Sequence, residues 1–134
     1  VDALRELKVK NLVVGTPYLD EINTKEAEFL FNKGFSVLNI QGLNLTKGIE
    51  FGTVTPEYWI KFAEEINEES ADAIFLSCGG IRSTEVIDQI EQKVGKPVIT
   101  SNQAQMWSCL RRAGVEDNIS GFGKLFNYQL NIND

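Results

Sequence analysis

The chain has 134 residues, 43% of them hydrophobic, and carries 13 basic against 19 acidic side chains for a net charge of -6. That length supports one globular domain, residues 1–134, with a real core, and excludes two. The acidic balance, with no basic run longer than Arg111-Arg112, excludes nucleic acid as a partner but not a small carboxylate held by local donors.

In chain order, Asn11-Leu12-Val13-Val14-Gly15-Thr16 has the composition of a buried strand. A helix is expected from Glu21 to Asn32, with Ile22, Ala27, Leu30 and Phe31 as its apolar stripe and Gly34 as its stop. Phe35 to Ile40 reads as a second strand, and the glycine-rich stretch from Gly42 to Val54 as a long loop of the kind that tends to carry function. Thr55-Pro56-Glu57 is a helix start: a hydroxyl cap, proline at the first helical position and an early acid. That helix is expected to run to about Glu69, with Trp59, Ile60, Phe62, Ala63 and Ile66 inward, and the acidic run Glu64, Glu65, Glu68, Glu69 as a solvated face. Ala73 to Ser77 is the third strand. Ser83 to Val94 is a helix with Val86, Ile87, Ile90 and Val94 on one face, and Pro97 to Thr100 is the fourth strand. The last helix spans Asn102 to Ala113 and is ended by Gly114; residues 119–134 show no pattern that assigns them.

Strict alternation of strand and helix predicts an α/β domain: a four-stranded parallel sheet covered by helices on both faces. Right-handed crossovers favour the strand order 2-1-3-4, with the switch point between strands one and three. The segments Thr16-Pro17-Tyr18 and Ser77-Cys78-Gly79-Gly80 then meet at the sheet edge where open α/β folds bind ligands.

Several chemistries lack their residues. With no histidine, any proton-transfer group must be Cys, Asp, Glu, Lys or Tyr. With no histidine, two separated cysteines give no metal-ligand spacing, so no metal is expected. Gly121-Phe122-Gly123 neither follows a strand nor continues into a full dinucleotide fingerprint. Only Gly79, Gly80 and Ile81 separate Cys78 from Arg82, too few for a phosphatase loop. No apolar run approaches membrane-spanning length, and two free thiols without a secretory leader pattern point to a reducing, cytoplasmic setting. The start at Val1 suggests processing or truncation.

The positive signal is Cys78. A core cysteine does not require two following glycines, whereas Gly79 and Gly80 let the backbone approach a ligand and aim N–H groups at an anion. A buried cysteine with no chemical task remains the competing reading. Tyr18, at the same predicted edge, is either a turn-packing ring or a phenol donor to a carboxylate. Cys109, with Met106, Leu110 and Ala113 as same-face neighbours, is expected to pack in the core.

The ordered set Thr16-Pro17-Tyr18 leading to Asn23, Ser77-Cys78-Gly79-Gly80-Ile81-Arg82, and Gly95 to Ala104 with Trp107 resembles the C-terminal half of the aspartate/glutamate racemase superfamily. The nearest branch by these motifs holds maleate cis-trans isomerases, arylmalonate decarboxylases and ectoine-utilisation proteins. The resemblance runs from about Leu4 to Leu125 and implies one lobe of a two-lobed architecture, with the active site in the cleft between lobes. It implies Cys78 as the catalytic cysteine, Tyr18 and the Gly79 N–H as donors to a substrate carboxylate, and Gly80 as a further substrate-binding residue. Glycine directly after the cysteine is similar to the decarboxylases; Ile81 and Arg82 stand where classical racemases often carry a histidine. The region near Gly48 lacks an asparagine that the isomerases use. The implied activity is cofactor-independent isomerisation or decarboxylation of a small carboxylate or dicarboxylate. The partner would be a missing N-terminal lobe or a second copy in a homodimer. The alternative is a non-catalytic domain that keeps the fold and binds a carboxylate or a partner.

Overall fold

The computed structural model describes residues 1–131. A short helix, α1 (Asp2–Glu6), leads into a parallel sheet of β1 (Asn11–Thr16), β2 (Ser36–Gly42), β3 (Ala73–Leu76) and β4 (Val98–Thr100). The spatial order is β2-β1-β3-β4, as the crossover rule predicts. The connecting helices are α2 (Asp20–Asn32), the single turn α3 (Gly48–Phe51), α4 (Pro56–Ile66), α5 (Ile87–Val94) and α6 (Ser101–Arg112). No helix among the described residues is long and apolar enough to cross a membrane.

Side chains alternate across a strand, and that alternation sorts the core into two layers. Val13, Ile74, Leu76 and Val98 face α4 and α5, where Trp59, Phe62, Ile66, Ile87 and Ile90 cover them. Leu12, Val14, Ala73 and Ile99 face the other way, against Leu4 of α1, Leu30 of α2 and Trp107 of α6. Gly15 is needed on the first face: a Cβ there would stand 2.9 Å from side-chain atoms of Phe62, Ile66 and Leu76. The capping reading of α4 holds, with the Thr55 hydroxyl accepting the Tyr58 N–H and Pro56 in the first turn. At the opposite sheet edge Asp72 accepts the N–H groups of Lys10 and Asn11 at 2.9 and 2.8 Å. Those two donors hold its carboxyl below the usual carboxylate range.

Several expectations need correction. The stripe assigned to α2 is only partly inward: Leu30 is buried as expected, but Ile22 is 45% and Phe31 74% exposed, and the other buried position is Asn23. β2 is an edge strand that extends to Gly42, and the expected loop after it contains the turn α3. α4 stops at Ile66, and the run from Ser83 begins as a 3-10 turn (Thr84–Val86) before α5. Cys109 is exposed, not packed in the core, as is Met106. The inward face of α6 is Gln103, Trp107 and Arg111, one residue every four, which places Cys109 on the outer side.

That polar and aromatic stripe organises the C-terminal segment, which the sequence pattern left unassigned. Arg111 is buried, and its guanidinium donates to four backbone carbonyls: Val115 (2.7 Å), Phe126 (2.7 Å), Tyr128 (2.9 Å) and Asp117 (3.1 Å). Trp107 Nε1 donates to the Tyr128 carbonyl at 2.9 Å, and Gln103 Nε2 to that of Phe122. A 3-10 turn at Lys124–Asn127 then inserts Leu125 and Phe126 into the second core layer. Glu91 fastens the same segment from α5, accepting the N–H groups of Val98 (2.9 Å) and Lys124 (3.0 Å). Burial raises its carboxyl pKa even against those two donors. Residues 132–134 of the unassigned stretch lie outside the described residues.

Replacing Arg111 by leucine keeps the bulk but strands buried carbonyls without donors. Urea unfolding of R111L is expected to show a loss of about 3 kcal/mol relative to the parent chain. An unchanged midpoint would mean that this segment is not fastened by the guanidinium.

Candidate active site

The register of β1 on β3 sets Gly15 opposite Leu76, so the residues that follow emerge side by side at the C-terminal edge of the sheet. The Ser77 N–H continues the ladder to the Gly15 carbonyl at 2.9 Å. Cys78 comes next, 8% exposed, on the face occupied by α4 and α5. Its own N–H donates to Ser101 Oγ at 3.1 Å, and its sulfur accepts the Gly80 N–H at 3.2 Å. The Gly79 carbonyl accepts Asn102 Nδ2 at 3.0 Å, while the Gly79 N–H has no protein acceptor among the described residues. A third tie joins the two segments, with the hydroxyls of Thr84 and Thr100 3.3 Å apart. The corner after β3 is therefore clamped onto the first residues of α6.

Tyr18 is fixed from two directions. Its N–H donates to Thr16 Oγ1 at 3.1 Å, and that hydroxyl donates to Asn23 Oδ1 at 2.6 Å inside the fold. From the other side, the Asn44 N–H donates to the Tyr18 carbonyl at 3.2 Å and the Leu45 N–H to the Pro17 carbonyl at 2.9 Å. The ring meets Phe51 edge-on, centroids 5.7 Å apart. Its phenol lies near the Cys78 side chain. Burial is the first cause that raises the phenol pKa above the ordinary tyrosine range, followed by the neighbouring Cys78 side chain, through its polarity and its charge, and by Glu26. The phenol therefore remains a donor at any pH near neutrality. Glu26 sits on the opposite side of the sheet, where burial raises its carboxyl pKa and a hydrogen bond with Ser77 partly offsets the rise.

The predicted site residues Tyr18, Cys78, Gly79 and Gly80 are thus brought together, although Gly80 directs its N–H at the sulfur. Residue-type reasoning assigned no role to Thr16, Asn23, Ser101, Asn102 and Phe51, which hold the two loops in place. A signal was available for the first pair: two polar residues seven apart, both where an apolar side chain would be expected inward. A separate concavity of about 650 Å³, lined by Leu43, Val54, Tyr58, Glu65 and neighbours, contains neither Cys78 nor Tyr18.

Comparison with known proteins places this geometry. The family model described as arylmalonate decarboxylase matches residues 1–126. Arylmalonate decarboxylase of Bordetella bronchiseptica is 29% identical over 133 residues, covering 95% of this chain and 54% of that protein. Maleate isomerase of Alcaligenes faecalis is 25% identical over 128 residues, covering 95% and 51%. A crystal structure of arylmalonate decarboxylase superposes with a TM-score of 0.84 at 29% identity, covering 93% of this chain and 56% of that one. The chain spans about half the length of the curated relatives it matches.

Alkaline titration tests the packing of the phenol. Tyr18 is expected to give an absorbance component that ionises above the ordinary tyrosine range, and Tyr18→Phe to remove that component. The native state binds this proton more tightly than the unfolded state does, so its contribution to stability is complete below about pH 10 and declines as pH rises beyond it. Absence of such a late component would contradict the burial of this phenol.

Proposed function

The chain belongs to the arylmalonate decarboxylase family, and from that premise we propose that it is one lobe of a cofactor-independent isomerase or decarboxylase acting on a small carboxylate or dicarboxylate. The observation that carries the reading is the convergence of the Cys78 sulfur, the Tyr18 phenol and the unpaired Gly79 N–H at one sheet edge. In this reading the phenol and the Gly79 N–H hold a substrate carboxylate. The sulfur then lies beside the adjacent carbon.

Two reactions fit that arrangement. With a malonate-type substrate, the C–C bond to one carboxylate breaks and carbon dioxide leaves. The electron pair spreads into the retained carboxylate as an enediolate, and the Cys78 S–H protonates the carbon. The thiolate so formed is stabilised by the Gly80 N–H until water returns a proton. With a cis-unsaturated diacid, the Cys78 thiolate instead adds to the double bond, the resulting single bond rotates, and sulfur is expelled to leave the trans product. The family assignment and the glycine after Cys78 support decarboxylation.

Either reaction needs a cleft closed to water. Gly79 and Gly80 are exposed, and Ile49 on α3, the turn that carries Phe51 to Tyr18, is 82% exposed. In this reading that cover comes from an N-terminal lobe or from a second copy of this chain, in line with the half-length match to the relatives. The half-length span of the relatives supports a second reading, in which this lobe binds a carboxylate without turning it over alone.

Cys109 is exposed and would mask the assay, so the test uses Cys109→Ser. Malonate or maleate at millimolar concentration is expected to slow iodoacetamide alkylation of Cys78 at least fivefold, against chloride at equal ionic strength. Tyr18→Phe is expected to weaken that protection about tenfold, the worth of one hydrogen bond to a charged group. Absence of protection by any dicarboxylate would sink the carboxylate site. Protection without carbon dioxide release or maleate conversion selects the second reading.

A further inference from the structure

We propose that Asn102 is a positioning residue that locks the Gly79–Gly80 peptide in the orientation directing its N–H at the Cys78 sulfur. A trans peptide is planar, with its C=O and N–H pointing in opposite directions. Asn102 Nδ2 holds the carbonyl end of this unit at 3.0 Å, and the amide end then faces Sγ at 3.2 Å. Nothing intrinsic to the unit holds that orientation. It is flanked by two glycines, and without a Cβ on either side its rotation costs little. Rotated by half a turn, it would present the Gly79 carbonyl oxygen to the sulfur and repel a thiolate.

The restraint comes from a rigid source. Asn102 is the second residue of α6, whose start is closed by the reciprocal pair of Thr100 and Gln103. Its neighbour Ser101 holds the Cys78 N–H, so the Cys78 amide and the Gly79 carbonyl are anchored to the same helical turn. The fit is close: a Cβ on Gly79 would stand 3.3 Å from Asn102 Oδ1. Asn102 is itself exposed and belongs to neither core layer. Its contribution is therefore to the sulfur, through one peptide unit, and not to the fold. The inference rests on Cys78 being the reactive group of the proposed site but on no particular substrate.

The experiment uses the Cys109→Ser chain, in which Cys78 is the remaining thiol, and involves no carboxylate, so its result is independent of the protection assay. Asn102→Leu preserves size without a donor, and Asn102→Asp replaces the donor with an acceptor. Both are expected to leave the circular dichroism spectrum unchanged and to slow iodoacetamide alkylation of Cys78 at pH 7.5 about tenfold. The second readout is the Gly80 amide proton in a proton–nitrogen correlation spectrum. With Asn102 present, Cys78→Ala is expected to move that resonance upfield as the sulfur acceptor is lost; in the Asn102→Leu background it should not move. A Gly80 resonance that still responds to Cys78→Ala with leucine at 102 overturns the proposal, whatever the alkylation rate. An alkylation rate within twofold of the parent in both variants overturns it equally.

Discussion

Parallel pairing of β1 with β3 turns two distant segments into one site. Gly15 lies opposite Leu76, so Tyr18 and Cys78 leave the sheet as neighbours although sixty residues of chain separate them. The pairing depends in turn on close packing at Gly15, where any side chain would collide with Phe62 and Ile66 of α4 and with Leu76 of the neighbouring strand. A slip of one residue in β1 would turn its side chains to the opposite face. Thr16, whose hydroxyl supports Tyr18 from the α2 side, would then lie on the α4 side.

Around that edge the protein spends its polar side chains on backbone geometry. Thr16 and Asn23 hold the loop of Tyr18; Ser101 and Asn102 hold the corner of Cys78; Thr84 and Thr100 close the far side. Each of these bonds removes freedom from a segment rich in glycine or followed by loop. What the edge then presents is a short list: the Cys78 thiol, which holds the Gly80 N–H, the Tyr18 phenol and the Gly79 N–H. Such economy suits a reaction in which a carboxylate must be held still while a proton or a sulfur meets the neighbouring carbon. Burial keeps the phenol protonated and hence a donor, so it complements an anion at any pH near neutrality.

The rear of the domain follows the same strategy with different residues. Arg111 satisfies four carbonyls of an irregular segment that has no ladder of its own, and Glu91 satisfies two of its neighbours' amides. The result is a covered sheet face in which Leu125 and Phe126 complete the layer begun by Leu12 and Trp107. Because α6 carries Asn102 at its start and Arg111 at its end, one helix connects the corner of Cys78 to the packing of the C-terminal segment.

Local pattern was enough for the strand order, for the N-terminal cap of α4, and for placing Cys78 and Tyr18 at one edge, because alternation, proline position and crossover handedness are properties of the chain itself. It failed where partners lie far away in sequence. The stripe on α2 was partly misjudged because periodicity cannot tell a core-facing phenylalanine from one left open at an edge strand. Cys109 was misplaced because the inward face of α6 is marked by glutamine, tryptophan and arginine, whose polar ends find carbonyls in a segment with no periodicity. Which way the Gly80 N–H points could not be read from two glycines, since glycine states no preference. Only the fold, by bringing an asparagine from the next helix against that peptide, decided it.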